Sequence, residues 1–338
     1  MFDMHYDLLT KLYMCYKDND FTFIENWVKN YNFDNVRGLI ANLCFMSIEE
    51  MQVEYHKDYY NPNVSIIEMF KICMALLYKY IPSNIKVLTS IEGCDFLDSE
   101  EDLVVLKKLG LNSILPVWNN KNKFGSGNRS DDGLTEMGKR LIKKAIELGI
   151  NIDLSHANEK TFFDCIDIIK EYRKNGIYPI VYASHSNVRQ LSNLGRNLTD
   201  EQIMALKSVD GLIGLMSNCN FVLNGSLSEK IKLIGTSDYN GYNDTLKKMY
   251  INHLLYIKNL LGNIDNIAVS TDDMSFCTYD DDYKYTSIFD YSNINNEIRY
   301  YLHKYFNQEE VGKIMYFNVE KKLFNQKDKE KNYEWYSK

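Results

Sequence analysis

Three of the six histidines in this chain stand where short apolar runs end. His5 closes the run Phe2–His5, with Asp7 two residues further on; Asn151–Leu154 leads into Ser155-His156; and Pro179–Ala183 leads into Ser184-His185-Ser186-Asn187. Two more runs end on carboxylates, Lys86–Ile91 on Glu92-Gly93 and Asn266–Ser270 on Thr271-Asp272. Side chains two apart on extended backbone point the same way, so His5 and Asp7 could grip one ion. Alone that pair says little, because six histidines among 46 acidic residues in 338 give about one such spacing by chance. Three histidines and three carboxylates gathered at one edge say far more: they are the ligand types of one or two borderline divalent metals. Two ions sharing a carboxylate could hold a bridging water and bring its pKa toward about 7, which would make it a nucleophile at neutral pH.

Such a gathering needs a fold that brings many strand ends to one place. The apolar runs Phe2–His5, Gly38–Phe45, Lys86–Ile91, Ser113–Val117, Asn151–Leu154, Pro179–Ala183, Gly211–Met216 and Asn266–Ser270 read as strands. Between them, Ile66–Tyr80, Glu101–Leu109, Thr135–Leu148, Glu159–Lys174, Asp200–Ser208 and Asp244–Leu261 carry apolar residues at helical spacing. Eight strands alternating with helices over about 270 residues predict an α/β fold closed as a TIM-like (β/α)8 barrel. A doubly wound parallel sheet is the alternative. No linker or repeat divides the chain, so residues 1–325 read as one barrel domain and residues 326–338 as a charged tail.

Composition sets the outer limits. The chain is 45% hydrophobic and 25% charged, with a net charge of −7, which predicts a globular protein without the basic face that nucleic acid requires. The most apolar helical run, Ile66–Ile81, contains Glu68, Lys71 and Lys79 and is too polar to span a bilayer. The start shows no export signal, and the seven cysteines have no CxxC spacing, so we expect reduced core thiols and a cytoplasmic protein without a membrane partner. His56, His253 and His303 lie away from strand ends and read as ordinary residues. The Phe124–Gly127 turn lacks the features of a phosphate loop, and Asp280–Asp282 reads as a loop tip.

The ordered motifs resemble the membrane dipeptidase (renal dipeptidase) family of zinc metallopeptidases, in a bacterial cytoplasmic form. Asp3-Met4-His5-Tyr6-Asp7 looks like the family's D-G-H-N-D opening, and Ile91-Glu92-Gly93 like its I-E-G segment. Leu115–Asn120 is similar to the L-T-W-N form of bacterial members. A long block follows, from Gly133-Leu134-Thr135-Glu136-Met137-Gly138 to Ile152–His156, then Ser184–Asn187 and Arg196–Asp200. The resemblance implies a (β/α)8 TIM-like barrel of the metal-dependent hydrolase type with two zinc ions per chain. His5, Asp7 and Glu92 would hold one, and Glu92 would bridge to the second, held by His156 and His185. Asp272 would be the acid/base group, taking a proton from the bridging water and passing it to the leaving amine. Arg196 would face the substrate carboxylate or the oxyanion, with Trp118 and Asn119 also at the substrate.

The implied activity is hydrolysis of dipeptides, including those with a D-residue second, by a metal-bridging hydroxide; homodimers are common in the family. Two departures stand out. The family's G-D-F-D-G after the last strand is here Thr271–Ser275, and its aromatic N-F-Y after the seventh strand is Ser217-Asn218-Cys219. They leave two alternatives open: a dinuclear hydrolase of another small amide or lactam, and an inactive metal-binding relative.

Overall fold

The computed structural model describes residues 1–30, 36–44, 64–223, 244–272, 288–289 and 293–324. Phe45, His56, Asp280–Asp282, the Thr271–Ser275 segment beyond Asp272 and the tail at 326–338 lie outside the described residues.

Eight parallel strands close into a barrel in sequence order. They are β1 (Phe2–Tyr6), β2 (Gly38–Cys44), β3 (Lys86–Glu92), β4 (Ser113–Leu115), β5 (Asn151–Asp153), β6 (Val181–Ala183), β7 (Leu212–Met216) and β8 (Ile267–Ser270). Closure pairs β8 with β1 through Asp3 and Val269. Parallel closure puts every strand's carboxyl end on one rim, so the residues that follow the strands must meet there. The anticipated strands are all present, with ends shifted by up to two residues. Pro179 falls before β6 because its ring nitrogen has no proton for the ladder.

The flanking helices are α1 (Leu8–Asp18), α2 (Thr22–Asn30), α3 (Ile66–Tyr80), α4 (Asp102–Lys108), α5 (Glu136–Glu147), α6 (Glu159–Lys174), α7 (Asp200–Ser208), α8 (Cys219–Val222), α9 (Asp244–Leu261), α10 (Ile294–Leu302) and α11 (Gln308–Gly312). Side chains of Ser65, Thr135, Asn158 and Thr199 accept backbone N–H groups at the starts of α3, α5, α6 and α7, which fixes where these helices begin. Helices α1, α2, α8, α10 and α11 were not anticipated. Helix α1 begins directly after Asp7 without a side-chain cap, although Leu8, Leu9, Leu12 and Cys15 bury one face.

Within the barrel, an apolar layer of Phe2, Met4, Ile40, Leu88, Tyr182, Leu212 and Ala268 packs on Val319 and Leu323. The carboxyl-terminal segment, wound as wide turns over Lys313–Phe317 and Glu320–Phe324, thus plugs the end opposite the rim. Alternation carries the inward face of β3 from Leu88 through Ser90 to Glu92, and that of β8 from Ala268 through Ser270 toward Asp272. The plugged end is apolar, and the rim end is polar.

Candidate metal centre

His5 lies on β1, with Asp7 just past its end, and Glu92 closes β3. His156, His185 and Asp272 stand just beyond β5, β6 and β8. All six are buried. Gly93, in the left-handed region at φ 85°, turns the chain away immediately after Glu92. His156 and Asp272 also adopt positive φ, at 68° and 49°, a conformation that non-glycine residues hold only where the surroundings enforce it.

The two oxygens of Glu92 face different partners. Oε2 lies 3.1 Å from His5 Nε2, while Oε1 lies 2.9 Å from His156 Nε2 and 3.4 Å from His185 Nε2. His5 Nε2 is also 3.7 Å from Asp7 Oδ1 and 3.8 Å from Asp272 Oδ1. Three ligand groups follow, each with its atoms within 4.8 Å of one another: His5, Asp7 and Glu92; Glu92, His156 and His185; and His5, His185 and Asp272. Glu92 belongs to the first two, which is the arrangement of a carboxylate shared between two ion pockets.

The electrostatics suit cations. Burial works against ionising Glu92, yet the charge of His5 and the close ring nitrogens of His156, His185 and His5 hold it well below the usual carboxylate range. Burial likewise opposes charge on His5, but Glu92 and Asp7 raise it well above an ordinary histidine. The carboxylates of Glu92 and Asp7 around one imidazole favour positive charge, a preference that a divalent cation would also satisfy. Burial and the charge of Arg196 lower His156 to about 3; burial and the charge of His5 hold His185 well below its usual value. Both therefore offer neutral nitrogens, as metal ligation demands. Burial, opposed by His5 and assisted by Asp7 and Glu92, lifts Asp272 to about 7.

A further set of residues orients the six. Asp153 Oδ1 accepts N–H bonds from Ser155 and Ser184, each at 3.0 Å, just before His156 and His185. Asp3 Oδ1 accepts from His5 N at 3.2 Å and from Thr271 N at 2.9 Å, and its Oδ2 from Thr271 Oγ1 at 2.5 Å. Their roles had no separate reading in the sequence. The available signal was their place two or three residues before a histidine, in Asp3-Met4-His5 and Asp153-Leu154-Ser155-His156.

The residues expected at the substrate divide. Arg196 is buried, donates through Nη2 to the His185 carbonyl at 3.2 Å, and has an Nε without a hydrogen-bond partner among the described residues. Trp118 stacks on His156, with centroids 5.5 Å apart, and Asn119 Oδ1 accepts from His156 Nδ1 at 2.9 Å. Both thus touch a candidate ligand. The Ser217–Cys219 departure does not empty the rim of aromatic surface. Asn218 caps the short α8, whose Phe221 ring centre lies 5.8 Å from the Arg196 guanidinium. His253 stays outside the ligand groups: buried on α9, it accepts from Val188 N and donates to the Val222 carbonyl, both at 3.0 Å.

An eight-stranded parallel barrel with buried histidines and carboxylates on its carboxyl rim is the framework of a metal-dependent hydrolase. The chain belongs to the membrane dipeptidase family, Peptidase family M19, whose model matches residues 49–334. His5 and Asp7 precede the matched residues and join the site through barrel closure. A protein in the PQQ-III 3′ region of Acinetobacter calcoaceticus is 29% identical over 219 residues, covering 60% of this chain and 64% of that protein. One in the pqqA 5′ region of Klebsiella pneumoniae is 32% identical over 195 residues, covering 55% and 64%. The chain therefore spans somewhat less than two thirds of the length of these curated relatives. The same fold occurs in a metallopeptidase from Rhodobacter sphaeroides, liganded with a phosphinate mimic of the dipeptide L-Ala-D-Ala. That structure has a TM-score of 0.69 at 18% identity, covering 95% of this chain and 97% of that one. Among the described residues, no helix is long and apolar enough to cross a membrane.

Proposed function

We propose that this chain is a dinuclear zinc dipeptidase, with His5, Asp7 and Glu92 holding one ion and Glu92, His156 and His185 the other. The division of the Glu92 oxygens between two histidine groups is the observation that carries the reading. Bound there, the metals would supply an activated water and a polarised substrate carbonyl.

Asp272 stands buried beside His5, 3.8 Å from its Nε2, at the edge of the pockets that would hold the ions. It can take the proton from the attacking water and deliver it to the departing amine. Arg196 offers its Nε, which has no hydrogen-bond partner among the described residues, to the substrate carboxylate, a recognition that favours short free peptides over longer chains. The ring of Trp118, already against His156, lines the same space. Tolerance of a D-residue at the second position is supported by the dipeptide mimic on the Rhodobacter relative.

The test is amine release from L–L and L–D dipeptides, N-acylated dipeptides and tripeptides, with zinc-loaded and chelated protein. We expect zinc-dependent cleavage of free dipeptides alone. Asp272→Asn should lower kcat by about 10³-fold while two zincs per chain remain, and asparagine tolerates the left-handed backbone at this position. Equal cleavage of N-acylated dipeptides would instead establish a broader amidase, the reading that the altered Ser217–Cys219 wall favours. Unchanged turnover in the variant would remove Asp272 from the reaction.

A further inference from the structure

Ser184 stands between the two ion pockets. Its Oγ lies 3.2 Å from His5 Nδ1 and 2.7 Å from His185 Nδ1. Both rings turn their other nitrogen to Glu92, His5 to Oε2 and His185 to Oε1. One hydroxyl therefore backs one histidine from each pocket, and the two rings pack with centroids 3.7 Å apart.

The hydrogen count closes. An imidazole that offers Nε2 to a metal carries its proton on Nδ1. Two such N–H groups meet one hydroxyl oxygen, which has two lone pairs to accept them. The hydroxyl's own proton has an acceptor in Ser155 Oγ, 3.4 Å away. The backbone is fixed as well, since Ser184 N donates to Asp153 Oδ1 and His185 N to Ser155 Oγ at 3.1 Å. On the neighbouring strand, a Cβ at Gly214 would lie 1.9 Å from the Ser184 carbonyl oxygen, so only glycine permits this approach of β7 to β6. Ser184 has no exposed surface, which leaves no room for water to compete. His156 differs: its Nδ1 has a separate partner in Asn119.

We propose that Ser184 is a positioning residue that couples the two ion pockets, its single hydroxyl setting the tautomer and ring angle of His5 and His185 together. The inference rests on the dinuclear reading above. It predicts that loss of the hydroxyl weakens both ions, whereas loss of the Asn119 amide weakens only one.

The experiment is a zinc competition titration of the full chain against a chromophoric chelator, paired with visible spectra of the cobalt-substituted protein. Wild-type protein should bind two ions. In Ser184→Ala both should bind at least tenfold more weakly, as expected when a histidine loses its outer partner, and the cobalt bands of both pockets should change. Ser184→Thr, which keeps the hydroxyl, should restore both affinities to within about threefold of wild type. Asn119→Ala should weaken one ion only. If Ser184→Ala does not fold, Ser184→Cys replaces the oxygen with a poorer acceptor of similar size, and both ions should still weaken. Two ions in wild type with neither or only one weakened in the folded serine variant overturns the coupling alone. Failure of threonine to restore binding overturns it too, as does cysteine leaving both affinities unchanged. Fewer than two ions in wild type overturns the dinuclear reading and the coupling with it.

Discussion

At the seam between β1 and β8, Asp3 Oδ1 accepts the N–H of Thr271, the residue before Asp272. Between β5 and β6, Asp153 Oδ1 accepts the N–H of Ser155, the residue before His156. Asp272 and His156 are the two candidate site residues with left-handed backbone, and each carboxylate also ties its neighbouring strand end to its own. The difference lies in the second oxygen. Asp3 Oδ2 accepts from the Thr271 hydroxyl, whereas Asp153 Oδ2 is buried without a hydrogen-bond partner among the described residues. The ladders differ in the same sense: β5 and β6 are paired at Ile152–Val181 and Asp153–Tyr182, but β1 meets β8 in register at Asp3–Val269. Where the first strand closes on the last, the side-chain bonds of Asp3 add to a backbone bond from Asp272 N to the His5 carbonyl at 3.2 Å. Asp3 should therefore be the more structural of the two.

Truncation is the strongest way to break that comparison. Asp3→Ala strands two buried N–H groups and one hydroxyl, and each buried unpaired group costs about 1–3 kcal/mol. Part of this is recovered, because burial pushes Asp3 up to about 6 against its hydrogen bonds from Thr271 and His5, so the ionised group is itself penalised. The expected net loss is about 3 kcal/mol for Asp3→Ala and about 2 kcal/mol for Asp153→Ala, which strands two N–H groups. Urea unfolding of chelated protein at pH 7 measures both. An equal or larger loss at Asp153 would show that seam closure does not depend on the carboxylate.

His253 sharpens the comparison with a buried group that orders the rim without a charge. Its two backbone bonds tie the segment after β6, which carries Arg196, to the end of α8. Burial, opposed by the Val222 carbonyl, lowers its pKa to about 4. The folded value lies below the unfolded value of about 6.5, so the folded state excludes the proton. Its contribution is complete above pH 6.5, falls as the pH drops toward 4, and does not change further below that. Between pH 7 and 5 the loss is about 2 kcal/mol. Glutamine can accept from Val188 and donate to Val222 without titrating. The stability difference between wild type and His253→Gln should therefore shift by about 2 kcal/mol in favour of the variant from pH 7 to 5. A pH-independent difference would mean that His253 is not held neutral.

The sequence made residue types and strand ends legible, because alternation, apolar runs and Glu92-Gly93 are local features. Closure then follows from eight parallel strands, and with it the meeting of His5 and Asp272 across nearly the whole chain. Partners were harder to read. Asn119 reads only as a substrate contact, and its bond to His156 is not legible in the sequence; Asp3 gains its meaning from Thr271, which is 268 residues away. Helix α1 was missed although Asp, a common helix-start residue, stands before it; in the fold Asp7 makes no side-chain cap bond. Phe221 shows the same limit at the rim: the spacing after β7 departs from the family pattern, yet a short helix returns an aromatic ring to Arg196.

The smallest effect comes from the amide replacements, which change one oxygen and the charge while keeping the shape. Asp153→Asn can keep Oδ1 for Ser155 and Ser184 and place its NH2 where Oδ2 makes no hydrogen bond. It also removes a carboxylate whose pKa burial raises, against hydrogen bonds from Ser184 and Ser155. A change within about 1 kcal/mol is expected. In Asp3→Asn the same NH2 faces the Thr271 hydroxyl, which must give up its donation to Oδ2 and turn toward the His5 carbonyl, at present 3.5 Å away. That exchange should cost about 1 kcal/mol more than at Asp153, read as a lower urea midpoint with an unchanged slope. If the two amide variants unfold together, the second oxygen of Asp3 contributes nothing at the seam, and the two carboxylates are equivalent.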